Sequence, residues 1–247
     1  MTGFAKLTKI EFALFRRDLG SVLMPFLLPL GLLIGFGSAS DMRVAEPDLG
    51  GFSIFDVFIV PIALVLVLPM LSLMVLPSTL ASYRERGVLR RLATTPIHPL
   101  SVLVAQLVIH LGMLVASLGV TAVTAVAVFD VNAPQRVAAS LGVLALGTLA
   151  LYGLGITVAA LAPKTSTAAN LGMGLFFPQL LLGGLMVPAE FLPTALVRIG
   201  EVTPVGAAMH SLQAAWTGAE VAALHLAVLV AWTVVTVTVA TTRFRWD

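Results

Sequence analysis

Long hydrophobic runs without Asp, Glu, Lys or Arg alternate along the chain with short charged segments. A hydrocarbon core about 30 Å thick requires roughly 20 apolar residues in a helix, and backbone amides in lipid must be hydrogen-bonded within their own segment. The pattern therefore predicts an all-α integral membrane protein. Its six transmembrane helices are expected at about residues 19–40, 55–82, 100–129, 137–162, 167–187 and 221–242. Prolines at positions 25, 29, 61 and 69 are expected to kink or loosen the first two.

A seventh charge-free run, residues 202–219, is ambiguous on periodicity alone, since it contains a proline, a histidine and two glycines. The distribution of charge favours six spans. The inner side then holds eleven basic residues, Lys6, Lys9, Arg16, Arg17, Arg84, Arg86, Arg90, Arg91, Lys164, Arg243 and Arg245, and the outer side holds three, Arg43, Arg136 and Arg198. Basic residues concentrate on the cytoplasmic side of membrane proteins. Residues 188–220 are therefore interpreted as an outer re-entrant hairpin, and both termini are expected in the cytoplasm.

The N-terminal segment, residues 1–18, has apolar residues at positions 4, 7, 10 and 14 with basic residues between them. This spacing predicts an amphipathic helix on the inner leaflet, with its lysines and arginines toward anionic lipid. The alternative is a frayed extension of the first span. No internal repeat or linker divides residues 19–247, so they are expected to form one transmembrane domain.

Composition agrees with a lipid environment. Hydrophobic residues make up 59% of the 247 and charged residues 11%, whereas soluble domains carry about 25% charged residues. The mean hydropathy is +1.04. The chain has no cysteine, which excludes disulfides, thiolate metal sites and cysteine nucleophiles.

The interiors of the predicted spans contain no Asp, Glu, Lys or Arg. Ion-coupled transporters generally need a buried carboxylate or an unwound ion site, and only His110 and His225 are candidates here. A lone neutral histidine is more often a packing residue. No phosphate-binding loop, His-Glu-x-x-His pattern or serine-histidine constellation is present. The chain is therefore not expected to be an enzyme by itself or to bind a cofactor or metal, and energy for transport is expected from another polypeptide.

The most informative stretch is the predicted cytoplasmic loop at residues 83–99, which begins YRERGVLRRLATTPIHP. Val88, Leu89 and Leu92 form an apolar stripe on a short helix, with Arg86 and Arg90 on another face. A proline at position 96 ends that helix. Such a helix suits docking into a groove of a soluble partner. The alternative is a basic loop that only enforces topology.

The string ERGVLRRLATTPI, followed by a hydrophobic helix beginning LSVLVAQL, resembles the coupling region of permeases in the type-2 ABC exporter family, especially the daunorubicin-resistance type. Residues 180–218 resemble the family's fifth span and the outer hairpin that follows it. The resemblance implies a separate ATP-binding cassette subunit that holds ATP and Mg, and a second permease copy or paralogue. It implies that the ATPase subunit is contacted by Glu85, Arg86, Val88, Leu89, Arg90, Arg91 and Leu92. Many relatives carry an acidic residue where this chain has Arg90 or Arg91.

Three charged residues of the outer hairpin, Glu190, Arg198 and Glu201, are predicted to cap the exit side. Arg198 and Glu201 lie three residues apart, which allows them to pair on one helical face. Solvation of an ordinary hairpin is the alternative.

The sequence contains no polar cluster that marks a substrate site. A soft apolar lining is instead available from methionines and phenylalanines of spans one, two and five: Met24, Phe26, Phe36, Phe58, Met70, Met74, Met173, Phe176 and Phe177. Packing against lipid explains the same residues. Such a lining favours an amphipathic drug, antibiotic or lipid-like substrate over a sugar or metal ion.

Three hypotheses follow. The first is the permease subunit of an ATP-driven exporter in the bacterial plasma membrane, with the lipid bilayer and no nucleic acid among its partners. The second is a non-transporting membrane scaffold or assembly factor, which shares the spans but does not require the loop helix. The third is an intramembrane enzyme, which the absent catalytic constellation disfavours.

Overall fold

The computed structural model describes residues 19–87, 100–187 and 191–243, and these ranges are helical with no β-strand. The expected all-α class is thus confirmed for the described residues. The helices are α1 (Leu19–Gly37), α2 (Phe55–Glu85), α3 (Leu100–Phe129), α4 (Val137–Leu161), α5 (Thr165–Leu182), α6 (Thr194–Glu201), α7 (Pro204–Thr217) and α8 (Ala223–Arg243). The predicted interfacial helix at residues 1–18 lies outside the described residues.

Within the described residues, four helices are long and apolar enough to cross a membrane: Phe55–Glu85, Val104–Phe129, Val137–Leu161 and Ala223–Ala240. A shorter apolar helix covers Val22–Gly37. The molecule is therefore a multi-pass membrane protein, while the layout of six spans remains a prediction. The predicted end of the second span was position 82, but the helix continues through Glu85.

The helix ends gather at two poles. One pole, called here the acidic end, holds Asp41, Glu46, Asp48 and Asp56. There the Asp56 carboxylate accepts hydrogen bonds from the backbone and side-chain amides of Asn132, both at 3.2 Å. These bonds join the start of α2 to the loop after α3. The opposite pole, the basic end, holds Arg84, Arg86 and Lys164 beside the turn between α4 and α5. Consecutive long helices thus run in alternating directions.

Helix α2 is the core of the bundle. Ala63, Val65, Val67, Leu68 and Leu71 on it are all fully buried. By contrast, α3 and α8 expose rows of valine and leucine side chains. Because an outward apolar row is unfavourable in water and favourable in hydrocarbon, these rows are suited to contact with lipid.

Prolines in α1 and α2 release backbone carbonyls that other helices then bind. Pro29 has no N–H, so the carbonyl of Pro25 lacks its usual helical donor. The hydroxyl of Ser117 in α3 donates to that oxygen at 2.6 Å. Likewise, Pro61 releases the Val57 carbonyl, which accepts from the side-chain amide of Gln213 at 3.4 Å. The prolines therefore create contacts between helices.

Helix α2 is not uniform, because residues Met70–Val75, directly after Pro69, are π-helical. Helix α5 approaches this segment closely. A Cβ atom at Gly172 would collide with the backbone carbonyl of Leu73. The glycine is required for this approach, which sets the position of α5 against α2.

The predicted outer hairpin contains two helices. Helix α6 is largely exposed, whereas α7 is buried between α4, α8 and the start of α2. Thr203 caps α7 by accepting the N–H of Gly206 at 3.1 Å, and Pro204 occupies the first turn. The 14 residues of α7 extend about 21 Å, less than the hydrocarbon thickness, so α7 is too short to be a separate span.

Candidate functional site: the Arg84–Glu85 clip and the apolar groove

Two adjacent side chains at the basic end of α2 bind the turn between α4 and α5. The 31 residues of α2 extend about 46 Å, which exceeds a hydrocarbon core of about 30 Å. The last turn of the helix, with the exposed Glu85 and the half-buried Arg84, therefore projects beyond the hydrocarbon.

Glu85 caps the start of α5. Its carboxylate accepts the backbone N–H of Thr165 at 2.9 Å and the Thr165 hydroxyl at 2.6 Å. Lys164, the residue before α5, provides no side-chain cap of its own. Since the N-terminus of a helix carries unpaired N–H groups and a partial positive charge, a carboxylate from another helix is stabilising there.

Arg84 binds the end of α4, which lies on the other side of the same turn. Its guanidinium donates to the carbonyl of Ala159 at 3.2 Å and to the carbonyl of Ala162. These oxygens lie at the C-terminus of α4, where a cation is favoured. We call Arg84, Glu85 and their partners the clip, since one dipeptide holds the oppositely polarised ends of two helices. Three buried alanines, Ala81, Ala162 and Ala168, pack beneath it.

The Thr165 hydroxyl and, next, its backbone N–H favour the charged carboxylate and hold the pKa of Glu85 below its ordinary value. The nearby positive charges of Lys164 and Arg86 contribute less. Glu85 is therefore ionised at neutral pH and remains a charged cap.

The helix that contains Glu85 ends directly after it. Arg86 is exposed and Gly87 adopts the left-handed conformation with φ of +65°, which glycine tolerates best. Glu85 was expected to belong to the loop helix, but it is the last residue of α2, and its carboxylate faces the clip. The other predicted coupling residues, Val88, Leu89, Arg90, Arg91 and Leu92, lie outside the described residues.

A groove runs along the outside of α2 between α1 and α5. One cavity of about 740 Å³ is lined by all three helices and the turn after α5, and a second of about 510 Å³ continues it toward the acidic end. Leu32, Phe36, Ile62, Leu185 and Met186 line both cavities. We call the joined cavities the apolar groove.

Seven of the nine methionines and phenylalanines proposed from sequence as an apolar lining are in this groove: Met24, Phe36, Phe58, Met70, Met74, Phe176 and Phe177. Phe26 instead packs against the core, and Met173 is 47% exposed elsewhere on α5. The π-helical segment after Pro69 contributes Met70, Met74 and Val75 to the lining. The structure therefore brings together residues as far apart in the chain as Met24 and Phe177.

The charged residues of the predicted outer hairpin do not form a cluster. Arg198 and Glu201 both lie on α6, but no ion pair joins them. Glu190 lies outside the described residues. A charged cap built from these three side chains therefore remains a prediction.

The histidines of the spans have packing partners. His110 is fully buried, its Nδ1 lies 2.8 Å from the Gln106 carbonyl, and its own carbonyl accepts the Tyr152 hydroxyl at 3.1 Å. His225 stacks on His210 of α7, with ring centroids 5.3 Å apart. Among the described residues no group of three or more His, Asp or Glu has a geometry suited to a metal ion.

Sequence reasoning missed Arg84 and Thr165 as members of the clip. Arg84 was counted only as one of the inner basic charges, and Thr165 was not singled out. A Thr just before a predicted span, following Pro-Lys, is a recognisable helix start. Its partner, 80 positions earlier, leaves no periodic signal.

The comparisons with known proteins agree with this architecture. No match was found among curated proteins. A family model described as ABC-2 type transporter matches residues 2–217. These residues include both the clip and the apolar groove. Because the match covers most of the 247 residues, the chain belongs to the ABC-2 type transporter family.

Proposed function

We propose that this chain is the permease subunit of an ATP-driven exporter that moves an amphipathic or hydrophobic substrate outward. A separate ATP-binding cassette subunit supplies the ATP and Mg, and a second permease copy or paralogue completes the pore. The basic end faces the cytoplasm of a bacterium, and the acidic end faces outward. Six helices span the membrane, and residues 188–220 form the outer hairpin.

The observation that carries this proposal is the path of α5. The helix begins at Thr165, which Glu85 holds, and its later residues Phe176, Phe177 and Leu180 line the apolar groove. One helix thus connects the cytoplasmic turn with the groove. A displacement of the end of α2 moves the start of α5 with it, because the carboxylate and the helix terminus are bonded.

The coupling then has two parts. Arg86 and residues 88–92 contact the ATPase subunit through charge-assisted hydrogen bonds and an apolar stripe. Arg84 and Glu85 pass the resulting movement to the α4–α5 turn. The substrate lies in the apolar groove, where methionine and phenylalanine side chains accommodate varied hydrophobic shapes.

Transport and ATP hydrolysis measured together test this proposal. The chain is co-expressed with an ATP-binding cassette subunit that co-purifies with it, and the complex is reconstituted into liposomes. Glu85→Ala removes both clip bonds to Thr165 and should abolish ATP-dependent efflux while the complex still forms and hydrolyses ATP. Thr165→Val removes only the hydroxyl donor and should reduce efflux partially. Leu89→Asp should abolish co-purification with the ATPase.

Glu220→Gln, an exposed change at the acidic end, is the matched control and should transport normally. Wild-type efflux in both Glu85→Ala and Leu89→Asp would remove this region as the coupling element. A membrane scaffold would instead retain its partners and show no ATP-dependent substrate movement in the wild type, which would refute the exporter.

A further inference from the structure

Among the described residues, one charged side chain lines the apolar groove. Glu46 belongs to the segment between α1 and α2 and contributes to the wall of the 510 Å³ cavity, together with Met42, Leu49, Phe58 and other apolar residues. The other described lining residues of both cavities are uncharged. A carboxylate at the outer part of an apolar groove is an electrostatic feature that packing does not require.

The backbone fixes Glu46 in this position. Its N–H donates to the carbonyl of Phe52 at 3.0 Å, and its own carbonyl accepts the N–H groups of Leu49 and Gly51, both at 3.1 Å. An isolated bridge between Ala45 and Ser53 closes the same turn. The backbone at Glu46 is therefore fixed beside the groove by a tight turn.

No described residue neutralises the charge of Glu46. The side chain is half-buried, and no ion pair or hydrogen bond joins its carboxylate to a described residue. The surrounding turn adds negative charge, since residues 40–53 contain Asp41 and Asp48 against one basic residue, Arg43. A partly desolvated carboxylate in such surroundings favours a cation.

We infer that the apolar groove selects amphipathic monocations, with the hydrophobic body among the methionines and phenylalanines and the positive charge beside Glu46. Phenylalanine rings of the groove, Phe36, Phe58 and Phe191, add attraction for a cation through their faces. This inference rests on the proposed function, because it names the substrate class of the same groove.

Equilibrium binding to the full-length chain in lipid nanodiscs tests the inference without the ATPase subunit, with empty nanodiscs subtracted. The probes are tetraphenylphosphonium, a monocation, tetraphenylborate, an anion of nearly the same shape, and triphenylphosphine oxide, which is neutral. The wild type should bind tetraphenylphosphonium more tightly than tetraphenylborate. Glu46→Gln should weaken the binding of tetraphenylphosphonium about tenfold and leave that of triphenylphosphine oxide unchanged.

Three further variants keep the outcome interpretable. Asp48→Asn removes an exposed charge of the same turn that does not line the groove and should bind all probes as the wild type does. Glu46→Asp keeps the charge and should retain cation binding, whereas Glu46→Lys should reverse the preference toward tetraphenylborate. Each variant is first checked for a wild-type thermal midpoint.

Equal tetraphenylphosphonium affinity in the wild type and Glu46→Gln, or a wild type that binds the anion as well as the cation, would overturn the inference. Either result leaves the exporter intact if ATP-dependent efflux of a neutral substrate persists. Conversely, selective cation binding without ATP-dependent efflux would refute the exporter and leave the cation site standing.

Discussion

Ser117 places a buried hydroxyl where α1 has a backbone carbonyl without a helical donor. The loss of its bond to Pro25 leaves that carbonyl unpaired in a region without water. We expect Ser117→Ala to lower the free energy of unfolding by about 1–3 kcal/mol, measured by SDS titration in mixed micelles.

The matched control for Ser117→Ala is Ser140→Ala. Ser140 is also buried and bonds a carbonyl, that of Arg136, but this oxygen keeps the backbone N–H of residue 140 as a second donor at 2.9 Å. The loss of the Ser140 hydroxyl should therefore lower the free energy of unfolding less than the loss of the Ser117 hydroxyl does. If both variants lose the same stability, the proline-released carbonyl is not the reason that Ser117 is needed.

Glu85 illustrates what sequence can predict for a single residue. The charged string after the second hydrophobic run singled it out, because charges directly after a span lie at the membrane surface. Its partner, the start of α5, could not be predicted from spacing, since the two positions are brought together only by the packing of α2 against α4 and α5. Glu46 was similarly not singled out, because the hydrogen bonds of a short turn place its backbone beside the groove.

At the scale of elements, the contact between α5 and the π-helical segment of α2 depends on Gly172. Gly172→Ala places a methyl group against the Leu73 carbonyl, and backbone cannot move aside as a flexible side chain does. We expect a loss of about 1–3 kcal/mol in the free energy of unfolding, together with reduced transport, because α5 lines the groove.

Gly174→Ala, two positions away on the same helix, is the matched control. It tests whether the effect of Gly172→Ala comes from a lack of space or from the loss of glycine's backbone freedom. A Cβ at Gly174 meets nothing within 4 Å, and alanine favours helix over glycine by about 1 kcal/mol. This variant should be at least as stable as the wild type. If Gly172→Ala is as stable as the wild type, α5 can shift away from the Leu73 carbonyl without a loss in the free energy of unfolding.

Hydrophobic pattern alone predicted the helices to within a few residues, because a charge-free run of that length has no other stable structure in lipid. It did not predict the π-helical segments of α2, which arise where prolines interrupt a buried helix and neighbouring helices bind the altered backbone. Helix α5 is the weakest span by composition, since it begins Thr-Ser-Thr and contains Asn170 and Gln179. Among the described helices, it is not one of the four that qualify as spans on length and hydropathy.

For the whole molecule, the two poles differ in charge. The basic end holds Arg84, Arg86 and Lys164, and the acidic end holds most of the described carboxylates. With the basic end inside, an exporter would carry an amphipathic cation from an inner membrane surface toward the carboxylates of the acidic end. Both the direction of export and the proposed role of Glu46 therefore depend on the orientation of the chain in the membrane.

The absence of cysteine from the chain makes that orientation measurable with single cysteines and a membrane-impermeant maleimide. Asp48→Cys and Glu220→Cys should be labelled on intact cells, whereas Lys164→Cys and Thr242→Cys should be labelled only after permeabilisation. A seventh complete span at residues 202–219 would reverse the labelling of Glu220→Cys and Thr242→Cys and leave the other two unchanged. Because α7 is about 9 Å too short for the hydrocarbon core, we expect no such reversal.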